Sequence, residues 1–120
     1  YMNNFPIEIW KKYSLKVCID LGDYVMAAGD DQRAFEYIKK WTDYIIVVHL
    51  HNVDYVSGKY HWKPMHQNDE SDGHHDLVPI VKYLAGLDNI YFVLEHTPHM
   101  GYSADYVAQS TDYIQSLIFD

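Results

Sequence analysis

Three short runs of apolar and β-branched residues limit what this chain can fold into: Leu15–Asp20 (LKVCID), Tyr44–Leu50 (YIIVVHL) and Asn89–Glu95 (NIYFVLE). Each has strand length, and the last two are nearly continuous, as in strands of a parallel sheet covered on both faces. The first run is stopped by Leu21-Gly22-Asp23. Between and after the runs the periodicity is helical. Asp30 or Asp31 can cap a helix with Ala34, Phe35, Ile38 and Trp41 on one face. Asp76 can cap a second, with Leu77, Ile80, Val81 and Leu84 inward and Pro79 in its first turn. Ser103 or a neighbour can cap a third, with Val107, Ile114, Leu117 and Ile118 on its stripe. The opening Phe5–Tyr13 reads as a further helical turn or two. Three strands, each followed by a helix, imply parallel pairing with right-handed crossovers.

Asn52–His75 breaks the pattern. It runs 24 residues without apolar periodicity and reads as a long functional loop. It carries His61, His66, His74 and His75, four of the eight histidines, all of which fall between His49 and His99. The twelve tyrosines read as amphipathic packing with wet hydroxyls.

With 120 residues, 48% of them hydrophobic, the chain is expected to be one unit over residues 1–120. No apolar run approaches the roughly 20 residues of a membrane-spanning helix, so no membrane partner is expected. Seventeen acids against nine bases give a net charge of −8, which argues against binding phosphate backbones, so nucleic acid is not an expected partner. A single cysteine, Cys18, rules out an internal disulfide framework and fits the reducing cytoplasm. A three-stranded parallel sheet needs helices on both faces or closure into a barrel to bury strands this apolar, and three βα units are few for either. The chain is therefore expected to be part of something larger, its edge strands pairing with neighbours.

Parallel α/β proteins gather their sites at the carboxyl ends of the strands. Here the three strands end in or near Asp20, His49 and Glu95, which are 29 and 46 residues apart, so only folding can bring them together. Two carboxylates and one imidazole suit a hard or borderline divalent ion, Mn²⁺ or Mg²⁺, better than structural zinc. The alternative role for such acids is helix capping. His51, two residues beyond His49, faces the same side on a continued strand and can reach the rim. The spacings His61–His66 and His96–His99 are weak zinc signals, with no cysteine in reach and Cys18 inside a strand. Asp72-Gly73 reads as a turn ahead of His74-His75.

Taken together, Val17-Cys-Ile-Asp-Leu-Gly-Asp23, Val47-Val-His-Leu-His-Asn52, Asp72-Gly-His-His-Asp76 and Val93-Leu-Glu95 resemble the sugar phosphate isomerase/epimerase family. That family belongs to the xylose-isomerase-like TIM-barrel superfamily, which also holds endonuclease IV. The resemblance covers nearly the whole chain and implies the C-terminal part of a (β/α)8 barrel: three parallel βα units, the sixth to eighth strands, with about five strands ahead of them. It implies Asp20, His49 and Glu95 as three of four metal ligands, Mn²⁺ being the expected ion and Mg²⁺, Co²⁺ or Zn²⁺ the alternatives. Glu95 also falls at one of two catalytic glutamates. The other glutamate, which is the fourth ligand, belongs to a strand that this sequence does not contain. Asp72-Gly73-His74 resembles the Asp-x-His that holds a further metal in endonuclease IV. Where the family often writes Asp-x-x-His, this chain has Asp23, which weakens a three-zinc reading. Asp23, His51 and His74 are the candidate substrate contacts.

The implied activity is aldose–ketose isomerisation or ketose epimerisation of a sugar by metal-assisted proton transfer. A lone three-stranded piece would lack a complete site, so the expected partner is a second copy or the preceding barrel strands. The contrasting expectation is a non-catalytic parallel α/β module that binds a ligand or partner at the same rim. A barrel wall further predicts adjacent strands near 15–20, 44–50 and 90–95, with helices on one face only. Its interior face is expected to carry Val17, Ile19, Ile46, Val48, Phe92 and Leu94.

Overall fold

The computed structural model describes residues 5–95 and 101–119. In chain order these form α1 (Phe5–Lys12), β1 (Val17–Asp20), α2 (Leu21–Ala28), α3 (Asp31–Lys40), a short 3-10 turn (Thr42–Tyr44), β2 (Ile45–Leu50), β3 (Asn52–Val56), β4 (Lys59–Lys63), α4 (Val78–Ala85), β5 (Tyr91–Leu94) and α5 (Ala104–Phe119). The expected strands pair as β1-β2-β5, all parallel. The result is a mixed α/β structure whose described residues form a three-stranded parallel sheet and no closed barrel. Among the described residues, no helix is long and apolar enough to cross a membrane.

The helix signals act as the sequence suggests. Asp30 caps α3, its carboxylate accepting from Gln32 N at 2.7 Å and Arg33 N at 3.3 Å. At α4 the expectation shifts by one residue: Leu77 is the N-cap, with no capping side chain, while Asp76 ahead of it accepts from Val78 N at 3.1 Å and Pro79 occupies the first turn. Ser103 Oγ accepts from Tyr106 N at 3.1 Å. The stop after Asp20 is a direct entry into α2, which ends on Gly29 in the left-handed conformation, φ 72°.

Two expectations need correction. The first is the long loop, because Asn52–Lys63 is an antiparallel hairpin with Val53 opposite Trp62 and Tyr55 opposite Tyr60. Its two-residue turn, Ser57-Gly58, has φ of 53° and 78°. Positive φ at both positions matches the right-handed twist of a tight hairpin. The second concerns the faces of the parallel sheet. Register pairs Cys18 with Val47, Asp20 with His49 and His49 with Val93, so these residues share one face. Ile19, Val48 and Leu50 lie on the other, buried with Leu21, Val25, Ile38, Trp41, Ile80, Leu84 and Ile114 from the helices and the segments flanking them. Val17, Ile19, Val48, Phe92 and Leu94 thus belong to the helix-covered face. The opposite face is bare, with Cys18 and Asp20 exposed, Tyr91 67% exposed and Val93 45% exposed. Among the described residues the sheet therefore carries helices on one face only, and Asp20 and His49 lie on the other.

Beyond the hairpin, a buried ion pair secures the rim. Lys63, 1% exposed, bonds the Asp69 carboxylate and donates to Pro64 O at 2.6 Å. The other Asp69 oxygen accepts from Asn52 Nδ2 and from His66 N, each at 2.9 Å. Asn52 Nδ2 also donates to His75 O at 2.8 Å. Every member is satisfied, which is the condition under which a buried charge pair holds a structure rather than weakening it. Outside it, the His66 ring stacks on Tyr106 at 4.4 Å, and Tyr106 stacks on Tyr102 at 4.9 Å.

The face assignment predicts unequal costs for two truncations. Leu50→Ala should lower unfolding free energy in urea by about 2–5 kcal/mol. Val93→Ala should stay within about 0.5 kcal/mol, as for an exposed side chain; similar losses in both would reverse the faces. The aromatic stack predicts an alkaline limit. Burial, then Asp69, Asp72 and Asp54, raise the Tyr106 phenol from 10.0 to about 12. The folded state favours the neutral phenol, so this contribution is complete below about pH 10 and fades as pH rises toward about 12. Phenolate absorbance should show a late-titrating group of tyrosines, with one fewer in Tyr106→Phe and the raised Tyr102 and Tyr113 remaining.

Candidate metal centre

Asp20 is the N-cap residue of α2, yet its side chain makes no capping hydrogen bond. It turns onto the bare face instead, with Oδ1 2.8 Å from His49 Nδ1. Capping, the competing role for a strand-end acid, therefore does not account for this carboxylate. Asp30, which does cap, marks the contrast. Glu95 follows β5, where its N–H donates to Leu50 O at 3.1 Å and continues the register. Its Oε1 lies 2.6 Å from the same His49 Nδ1. Three side chains from three strands thus meet at one ring nitrogen. That nitrogen carries at most one hydrogen, so it cannot fully satisfy two carboxylate oxygens. A cation among the three donors would satisfy them all.

His51 joins this group from beneath. It is fully buried, and its Nε2 lacks a hydrogen-bond partner. Its Nδ1 lies 3.2 Å from Asn52 O, so a proton on Nδ1 leaves the Nε2 lone pair free. Metal-binding histidines commonly use a backbone carbonyl in this way to fix the tautomer. His51, Asp20 and Glu95 each offer a donor atom, and all three lie within 4.8 Å of one another. Cys18, Asp20 and His49 form a second such set. The Cys18 thiol is pushed up by partial burial and then by the negative charges of Asp20 and Glu95.

Two residues outside the expected set shape the site. Trp62, from β4, packs its ring 4.7 Å from that of His51 and donates Nε1–H to Asp23 Oδ1 at 3.0 Å. Asp23 thereby holds Trp62 over His51. Gly22 makes room for the imidazole, because a Cβ there would stand 2.4 Å from His51 Nδ1 and 2.8 Å from its carbonyl oxygen. The period of two along β1 could have revealed Cys18, two residues before Asp20. Nothing local in the sequence pairs Trp62 or Gly22 with His51.

The remaining histidines are occupied elsewhere or exposed. His74 Nδ1 lies 3.8 Å from Asp54, and His75 Nδ1 lies 2.5 Å from Asp31. His66 Nε2 meets Gln109 Oε1 at 3.0 Å, and His61 is exposed. His74 and Asp23 belong to neither donor group among the described residues. His96 and His99 lie outside the described residues.

Gly22→Ala tests the packing under the centre. In an ordinary helix interior this change stabilises by about 1 kcal/mol. Here the clash with His51 should destabilise by about 1–3 kcal/mol, read as a lowered urea midpoint, and a gain would show that His51 is not held where described. Comparisons with protein families, with curated proteins and with solved structures found no match for this chain.

Proposed function

We propose that this chain is the metal-bearing wall of a (β/α)8-barrel enzyme that isomerises or epimerises a sugar. The observation that carries the reading is the meeting of Asp20 and Glu95 at His49 Nδ1, at 2.8 and 2.6 Å. It lies on the bare face, at the carboxyl ends of parallel strands, the place where barrel enzymes keep their sites. Helices on one face only also suit a barrel wall. The remaining strands would come from a preceding part of the polypeptide or from a second copy.

Asp20 and Glu95, which meet at His49 Nδ1, would hold a divalent ion with an imidazole of His49 or of His51, the histidine whose donor atom groups with both carboxylates, and Mn²⁺ is the first candidate. Such an ion supplies positive charge for the oxygen of a polarised carbonyl. Glu95 removes the proton from the carbon next to that carbonyl. Returning it to the neighbouring carbon gives isomerisation. Return to the opposite face of the same carbon needs a second acid, which this chain does not supply at the positions the family resemblance covers. His51, dry beneath Trp62, keeps water from one side of the centre. Asp23 acts through Trp62. The net charge of −8 favours a cation and a neutral sugar over a phosphate-rich substrate.

Calorimetric titration with Mn²⁺ should detect binding, and Glu95→Gln should weaken it at least tenfold. Equal affinities in the two proteins would remove Glu95 from the centre. Incubating the protein with ketoses in deuterium oxide should, if the reaction is right, introduce deuterium next to the carbonyl. That exchange should require the ion and vanish in Glu95→Gln. Metal binding without exchange into any ketose or aldose would leave a binding module, the contrasting expectation.

A further inference from the structure

Five residues able to ligate a metal gather at this end of the sheet. Cys18, Asp20, His49, His51 and Glu95 resolve into two sets, each with its donor atoms within 4.8 Å, and Asp20 is the one residue common to both. One set, Asp20–His51–Glu95, has an imidazole and two carboxylates. The other, Cys18–Asp20–His49, exchanges a carboxylate for a thiol. We propose that the centre has two ion positions bridged by Asp20, and that the Cys18 position is selective for a thiophilic ion of the Zn²⁺ or Co²⁺ class. The inference rests on the metal-centre reading above and, when both positions are filled, gives His51 to the ion at Glu95 and His49 to the ion at Cys18.

Three observations support it. Cys18 is two residues before Asp20 on β1, so both side chains leave the strand on the same face. Asp20 is free of capping duty and exposed, and a carboxylate has an oxygen for each of two ions. Each set has its own imidazole: His49 groups with Cys18 and Asp20, though its Nδ1 also lies 2.6 Å from Glu95, and buried His51, whose Nε2 is unpartnered, groups with Asp20 and Glu95. Thiolate with imidazole and carboxylate is a zinc-type ligand set, whereas the Glu95 position has only oxygen and nitrogen donors and suits Mn²⁺ as well. Two carboxylates and a thiolate would offset much of the charge of two divalent ions. Paired ions sharing a carboxylate are a known means of clamping two oxygens of one substrate.

The test is Co²⁺ titration of the reduced protein, followed by calorimetry and by near-ultraviolet thiolate-to-cobalt absorption. Two equivalents should bind, and the thiolate band should grow with only one of them. Cys18→Ser, a change at an exposed position, should abolish the band and lower the stoichiometry to one, leaving Mn²⁺ affinity within about threefold. Asp20→Asn should weaken both equivalents. Co²⁺ should also protect Cys18 of the wild type from alkylation, which reports the thiol without any substitution. One equivalent with no band, or two equivalents retained in Cys18→Ser, would overturn the second position while the single-ion reading stands. Failure to bind either Co²⁺ or Mn²⁺ would overturn both.

Discussion

β2 lies between β1 and β5, and its hydrogen-bond register with both neighbours decides which side chains share a face. With Asp20 opposite His49 and Leu50 opposite Leu94, the chemistry-bearing residues go to one side and the apolar ones to the other. A slip of one residue in either pairing would invert this, moving Leu50 into water and a carboxylate into the helices. The register is held by burial. Ile19, Val48 and Leu50 have 2% exposure or less, and each such side chain contributes about 1.5–3 kcal/mol when buried. The packing that stabilises the sheet is thus the same force that aligns Asp20, His49 and Glu95.

The rim adds a second layer of constraint. Asn52 follows His51 directly and is tied to Asp69, which is tied in turn to Lys63 at the end of β4. The hairpin is consequently anchored at its base, on both strands, to one carboxylate. Trp62 is on the anchored end, so its position over His51 follows from the same network. Removing Asp69 alone would leave Lys63 charged and buried without a partner, the costly way to break such a pair.

Much of this was legible from residue order. The three strand runs, the caps at Asp30 and Ser103 and the convergence of Asp20, His49 and Glu95 all follow from local pattern and from the rule that parallel strands share a rim. The hairpin was hidden because Tyr55, Tyr60 and Trp62 alternate with Asp54, His61 and Lys63 rather than with plainly apolar partners, and Ser57-Gly58 is a modest turn signal. The sheet faces were misread because Val17 and Ile19 seemed as suited to a barrel interior as to a helix contact. The acids Asp20, which is exposed, and Glu95, which is half-buried, carry the parity that decides it. His51 was legible as a rim residue, but its burial depends on Gly22 and Trp62, which meet it only in three dimensions.

The bare face separates what keeps the chain folded from what makes it reactive. Cys18, Asp20, Tyr91 and Val93 contribute little to the core, so their replacement costs the fold little. A lineage carrying this sheet could exchange its ligands one at a time, moving between ions or substrates, while selection on folding acted on the opposite side of the same strands. Such an arrangement makes chemistry cheap to vary and architecture slow to change.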